Sequence, residues 1–202
     1  QNGATVTRVS SLAVWDDGLG PALYVGGYFT KAGASPASCI AKWKAGQWSA
    51  LGSGVTGSIP SVFALAPFDG ALHVGGRFDV AGGAAAQNIA TWDGSTWSSL
   101  AGSGGGASGD VVDALAVFDD GGGPALFVGG NFEGVFASGP YIPSWSIAKW
   151  NGASWSSLGK SVAGTVNALG TYDDGTGPAL YVGGYFVVGA GGDSSIAKWG
   201  SP

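Results

Sequence analysis

Two adjacent glycines close a short apolar run four times in this chain, as Gly26-Gly27, Gly75-Gly76, Gly129-Gly130 and Gly183-Gly184, at intervals of 49, 54 and 54 residues. The runs they close are residues 22–25, 71–74, 125–128 and 179–182, each reading Ala-Leu-aromatic-Val, with His73 at the aromatic position of the second. A recurrence at this period marks a repeat architecture, in which one short unit cannot bury both its faces and stacked neighbours supply the core.

The rest of the unit repeats with the doublet. A second run follows at residues 40–43, 89–92, 147–150 and 196–199, each ending in Trp. Five residues after that Trp, a second Trp opens a third run at 48–51, 97–100 and 155–158. A fourth run precedes each doublet, as at residues 11–15 and 114–118. Runs of four to six residues between Gly, Asp and Pro read as strands, and helical periodicity is found nowhere over a useful length. In chain order they are strands A to D of one antiparallel four-stranded unit. The repeats span approximately 9–58, 59–108, 109–163 and 164–202, within a single domain or segment covering 1–202.

The turns carry their own chemistry. Asp69-Gly70 joins A to B with a pair that tolerates positive φ, as a tight hairpin requires. The other three repeats use a longer version that begins Asp16-Asp17-Gly18, Asp119-Asp120-Gly121 or Asp173-Asp174-Gly175. Asp93-Gly94 and Asn151-Gly152 turn C into D. A strand ending in two glycines leaves bare backbone, which predicts a bulky neighbour packed onto it, and the repeated Trp residues are the expected occupants.

The diglycine ending B, the aromatic on C and the Trp opening D resemble the kelch motif and the wider galactose-oxidase-like propellers. The wording Leu23-Tyr24-Val25-Gly26-Gly27-Tyr28-Phe29, then Ile40-Ala41-Lys42-Trp43, then Trp48-Ser49-Ala50-Leu51-Gly52 is more similar still to repeats of fungal cortical polarity markers and of uncharacterised secreted bacterial proteins. The resemblance covers essentially the whole chain. It departs from kelch in the shorter spacing between the two aromatics and in lacking kelch's basic residues. It implies an all-β fold, a β-propeller of four-stranded antiparallel blades with the fourth blade short of its outer strand, and it leaves function open, since propellers host unrelated activities.

Composition narrows the partners. Eight Lys and Arg against thirteen Asp and Glu leave a net charge of −5, and no basic cluster exists to meet nucleic acid or an anionic lipid surface. No apolar stretch is long enough to cross a bilayer as a helix, so membrane insertion is not expected. Twenty-four aromatic residues argue for an ordered fold. The richness in Gly, Ser, Thr and Trp and the scarcity of Lys suit an extracellular or cell-envelope protein. One Cys rules out an internal disulfide, and Cys39 reads as a small buried residue. The chain contains no Met and stops just after strand C of its fourth repeat. The expected ways to complete that blade are residues 3–7 supplying the strand, two chains combining into one ring, or further repeats in a longer chain.

The residue types present do not assemble a familiar catalytic set. The copper site of galactose-oxidase relatives needs Tyr, His and a Tyr-Cys pair, but Cys39 and His73 lie in different repeats, so that activity does not carry over. His73 reads as an aromatic stand-in on strand B. The turn containing Asp93 superficially resembles that of sialidases, yet only Arg8 and Arg77 are available for a carboxylated sugar. Calcium takes six to eight oxygens, more than one acidic turn supplies, so those Asp pairs read as turn formers. Lys42, Lys149 and Lys198 share one position, with Thr91 in the second repeat, and read as structural stems. No catalytic residue, metal site or cofactor is predicted, although a carboxylate-only hydrolase using non-repeating residues such as Asp79, Glu133 and Asp193 stays open.

Variation concentrates between strands B and C. After each doublet comes Tyr28, Arg77, Asn131 or Tyr185, then always Phe, then Thr30, Asp79, Glu133 or Val187; the third connection is longest and holds Tyr141 and Trp145. The candidate ligand-binding residues are therefore Tyr28, Arg77, Asp79, Asn131, Glu133, Tyr141, Trp145 and Tyr185. The leading expectation is a non-enzymatic binding or scaffold propeller engaged in protein interaction or self-association. The alternative is a lectin-like carbohydrate-binding module using the same B-to-C face.

Overall fold

A computed structural model describes residues 7–100, 106–136, 141–158, 162–187 and 193–200. The described residues are all-β, without a helix, and form several antiparallel sheets, none of them closed into a barrel. The first repeat contains β1 (Arg8–Asp16), β2 (Pro21–Tyr28), the two-residue pair β3 (Lys31–Ala32) and β4 (Ser35–Pro36), then β5 (Ile40–Lys44) and β6 (Gln47–Ala50). After β7 (Val55–Thr56), the second has β8 (Ser61–Phe68), β9 (Ala71–Arg77), the pair β10 (Val80–Ala81) and β11 (Ala84–Ala85), β12 (Ile89–Trp92) and β13 (Trp97–Ser99). The third has β14 (Gly106–Asp119), β15 (Pro124–Phe136), β16 (Ile142–Pro143), β17 (Ile147–Trp150) and β18 (Trp155–Ser157); the fourth has β19 (Ala163–Asp173), β20 (Pro178–Val187) and β21 (Asp193–Gly200).

Each repeat makes one main sheet in the expected A-B-C-D order: β1-β2-β5-β6, β8-β9-β12-β13, β14-β15-β17-β18, and β19-β20-β21 with three strands, while β11-β10-β7 and β3-β4 form two small separate sheets. Strand A carries a bulge beside the doublet in each of these four sheets, at Ser10, Phe63, Asp113 and Asn167. The expected use of residues 3–7 as a closing strand falls, apart from Thr7, outside the described residues.

Consecutive sheets stack. β8 packs on β1 and β2, β14 on β8 and β9, and β19 on β14 and β15. The three largest core clusters sit at or near these junctions, the first joining Trp15, Tyr24 and Ile40 to Val62, Leu65 and Val74. The two glycines of a doublet do different jobs there. A Cβ on Gly26, Gly75 or Gly129 would stand 2.4, 2.6 or 2.4 Å from a Cγ1 of Val62, Val112 or Val166, the valine of the next repeat's strand A. A Cβ on Gly27, Gly76, Gly130 or Gly184 would instead stand 2.0–2.2 Å from a carbonyl oxygen of strand A in its own sheet.

The occupant of the first glycine's hollow is thus a valine rather than the expected Trp. The tryptophans pair with each other across strands C and D, at ring separations of 4.9 Å (Trp43–Trp48), 5.4 Å (Trp92–Trp97) and 5.2 Å (Trp150–Trp155). Directly opposed aromatics satisfy each other, leaving the hollow to a small branched residue from the neighbouring sheet.

A second tie between sheets lies just before strand C, where Cys39, Asn88 and Ser146 hold positive φ of 64°, 61° and 63°. Their N–H groups donate to the carbonyls of Phe29, Phe78 and Phe132, each at 2.9 Å. Their side chains reach into the next repeat: Cys39 Sγ donates to the Pro60 carbonyl (3.2 Å), Asn88 Nδ2 to that of Gly109 (3.0 Å), and Ser146 Oγ to that of Gly164. Cys39 is buried and unbridged, as expected, but it is also a link between repeats.

Candidate functional site

The connection from B to C begins with a fixed anchor. Phe29, Phe78, Phe132 and Phe186 are all buried, and in the first three repeats the carbonyl of this Phe accepts the bond from the left-handed residue before strand C. The side chains on either side of the anchor alternate outward, as the pleat of an extended chain demands. Arg77, Asp79, Asn131, Glu133 and Tyr185 are exposed and Tyr28 is half-buried. Tyr141 and Trp145, in the third connection, are about half exposed.

These residues are held more firmly than loop residues. Asn131 and Glu133 lie inside β15, Tyr185 lies inside β20, and Tyr28 and Arg77 end β2 and β9. Asp79 donates its N–H to the Thr56 carbonyl (3.0 Å), which ties the second connection to the segment before β8. The Glu133 carbonyl accepts the Ser144 N–H (3.1 Å), and the Tyr141 ring lies so close over Gly134 that an added Cβ would stand 2.6 Å from its Cζ. Backbone pairing extends further than the sequence suggests because the chain continues its ladder past the doublet.

Arg77 and Asp79 come together on one concavity of about 410 Å³, lined also by Ser58, Ile59, Phe78 and Asn88. Asp113, the bulge residue of β14, belongs to the same neighbourhood: burial raises its carboxyl pKa, and the nearby Arg77 charge partly offsets that. Sequence reasoning missed Asp113, and the signal was its position, since the bulge puts one strand A residue out of step in each repeat. In the first junction the bulge residue is Phe63, with the Arg8 guanidinium 5.4 Å from its ring centre. A second cavity of about 270 Å³ lies on the first sheet between Arg8, Val9, Val25, Phe29, Lys31 and Trp48. The corresponding Val62, Val74, Phe78 and Trp97 of the second sheet are instead packed with Leu51 and Val55 of the preceding repeat, and Trp97 Nε1 donates to the Leu51 carbonyl (2.7 Å).

The opposite edge of the sheets explains the acidic turns. Oδ1 of Asp16 accepts the N–H groups of Gly18 and Gly20 (2.9 and 2.8 Å), and Asp119 and Asp173 repeat the arrangement. The second Asp pairs with the recurring lysine: Asp17 with Lys42, Asp120 with Lys149 (2.6 Å) and Asp174 with Lys198 (2.8 Å). Each ammonium also lies 5.8 Å from the ring centre of Tyr24, Phe127 or Tyr181. Burial disfavours ionisation of Asp17, but hydrogen bonds from Lys42 and Tyr24 outweigh it and hold the carboxyl below its usual range. The Lys149 hydrogen bond does the same for Asp120. The lysines are therefore turn locks more than simple stems, and the carboxylates are occupied by peptide N–H groups and ammonium. Among the described residues no three His, Cys, Asp or Glu side chains gather as a metal would need.

His73 is buried on β9 opposite Thr91, its ring 5.6 Å from that of Phe68. Burial pushes its imidazole down to about 4, so it stands neutral in a core position, as an aromatic stand-in would. No family model, curated protein or solved structure matches this chain.

Proposed function

We propose that the protein is a non-enzymatic, extracellular binding or scaffold protein, its sheets serving as kelch-like propeller blades, and that it engages a protein partner through the B-to-C side. One observation carries this reading: a constant buried Phe anchors each connection while the residues flanking it differ from repeat to repeat and, the half-buried Tyr28 and Val187 apart, stand exposed, all but Thr30 and Asp79 on paired strands. A rigid support beneath changing side chains suits recognition, where preorganisation limits the entropy lost on binding. Arg77 beside Asp79 and the half-exposed Tyr141 and Trp145 are the side-chain types that dominate protein interfaces. The single thiol, buried and engaged with Pro60, suits an oxidising compartment.

The carbohydrate reading is favoured by Tyr141 and Trp145 alone, which flank the short strand β16 and offer apolar faces for a sugar ring. Printed arrays of secreted proteins and of glycans, probed with the wild type and with a combined Arg77→Ser, Asp79→Ser, Tyr141→Ser, Trp145→Ser variant, separate the two. Protein spots lost with the variant support the leading reading, and glycan spots lost on Trp145→Ala replace it with the second. Glycoside turnover abolished by Glu133→Gln overturns both.

A further inference from the structure

The turns that join strand C to strand D in the second and third repeats each rest on the sheet before them. A Cβ on Gly94 would stand 3.0 Å from Asp17 Cβ, and one on Gly152 would stand 3.0 Å from Asp69 Oδ2. Each C-to-D turn thus lies against the A-to-B turn of the preceding repeat.

The two contacts differ in charge. Asp17 is paired with Lys42, whereas Thr91 stands at the lysine position of the second repeat and Asp69 has no ion-pair partner among the described residues. The turn residue matches its neighbour: it is Asp93 beside the neutralised Asp17 and Asn151 beside the uncompensated Asp69. Like charges repel, and most where neither has a counter-charge. An amide at position 151 therefore keeps a second carboxylate out of this junction.

That amide is chemically accessible. Asn151 and Gly152 are exposed, and Asn151 is the one asparagine among the described residues that precedes a glycine. Gly152 holds a φ of 94°, and its nitrogen makes no hydrogen bond among the described residues. With no Cβ beside it, this nitrogen is open to close approach. Asn151 Oδ1 accepts the N–H groups of Ala153 (3.0 Å) and Ser154 (2.8 Å) and the Ser154 hydroxyl (3.3 Å). Donors so placed stabilise the negative charge this oxygen gains when a nucleophile adds to Cγ. The turn also has room for the product: in the second repeat Asp93 Oδ1 accepts the N–H groups of Ser95 (2.8 Å) and Thr96 (2.7 Å) in the same way.

We propose that Asn151 is a site of intramolecular modification, losing its amide to become aspartate or isoaspartate, and that the new carboxylate loosens the contact between the second and third sheets. The Gly152 nitrogen bonds to Asn151 Cγ, the Cγ–Nδ2 bond breaks, and the proton of the Gly152 N–H leaves with ammonia. Water then opens the cyclic imide. Cleavage at Cγ gives aspartate, and cleavage at the backbone carbonyl gives isoaspartate, with a main chain longer by a carbon; nothing is oxidised or reduced. Asn88, buried and followed by Ile89, lacks both the exposure and the uncrowded nitrogen, and keeps its amide.

The chemistry is tested by holding the folded 202-residue chain at mildly alkaline pH and mapping its peptides with fragmentation that distinguishes aspartate from isoaspartate. Mapping also separates Asn151 from Asn2-Gly3, which lies outside the described residues. The expected result is progressive amide loss at Asn151, with both products, and none at Asn88. An Asn151 that keeps its amide over a period in which the same chain in urea loses it overturns the proposal. Urea unfolding of Asn151→Asp in the wild-type and Asp69→Asn backgrounds reads the consequence. The substitution is expected to lower the midpoint when Asp69 is present, and to do so less at high salt and in the Asp69→Asn chain. Equal shifts in the two backgrounds overturn the repulsion. Neither readout depends on binding through the B-to-C side, at the other edge of the sheets.

Discussion

The second and fourth repeats depart from the common pattern in opposite ways. The second has lost residues and kept its packing. Its A-to-B turn is only Asp69-Gly70, Thr91 replaces the lysine and His73 the aromatic, so the Asp, Lys and ring that lock the other turns are missing as a set; yet His73 is 3% exposed and its sheet is enclosed on both sides. The fourth has kept residues and lost packing. It carries Asp173-Asp174, Lys198, Tyr181 and Gly183-Gly184 in full, but the Lys198–Asp174 pair is about 40% exposed where Lys42–Asp17 is 13% and 4%. A repeat's environment is therefore set by whether another sheet stands against it, more than by its own residues.

The sharpest break of this comparison lies within the doublet. The second glycine faces its own sheet, so Gly130→Ala and Gly184→Ala should each lose about 3 kcal/mol or more, the fourth repeat included, although among the described residues a sheet packs on only one of its sides. The first glycine faces the next sheet, so Gly129→Ala should lose about 2 kcal/mol and Gly183→Ala no more than about 0.5 kcal/mol. Urea denaturation of the four variants reads this directly, and equal losses at Gly129 and Gly183 would refute the division of labour.

The enclosed histidine supplies the next effect. His73 has its pKa lowered from 6.5 to about 4 by burial. Between those values the unfolded chain binds the proton more readily than the folded one, so stability is full above about pH 6.5 and falls as pH drops toward 4. At about 1.4 kcal/mol per pH unit the loss is at most about 3 kcal/mol. His73→Phe, which installs the ring found at Phe127, should flatten the profile of unfolding free energy in that window. Asp17 and Asp120, whose pKa values are lowered, add a loss at still lower pH, as their carboxylates become protonated.

The smallest effect separates the turn locks. Lys149→Met should cost about 1 kcal/mol, because its pair with Asp120 is largely shielded from water, while Lys198→Met on the open fourth sheet should shift the thermal midpoint less. Equal shifts would show that the neighbouring sheet does not govern the strength of the pair.

By itself the sequence determined the all-β class, the A-to-D order within each sheet, the hairpin chemistry of the acidic turns, and the aromatic stand-in role of His73. These follow from alternation along one strand and from turn residues a few positions apart, which act before any sheet meets another. It also identified Arg77, Asp79, Asn131, Glu133, Tyr141, Trp145 and Tyr185, which prove exposed, and Tyr28, which proves half-buried. Only the tertiary structure decided that Val62, Val112 and Val166 occupy the hollows assigned to Trp, that Lys42 meets Asp17 across 25 residues, and that Asp113 stands near Arg77. It likewise decided that Cys39 reaches the next repeat. Most of those contacts are set by how one sheet lies upon the next, and the Lys42–Asp17 pair by how strand C lies against the A-to-B turn of its own sheet; all join residues distant in the chain, whose proximity no local pattern encodes.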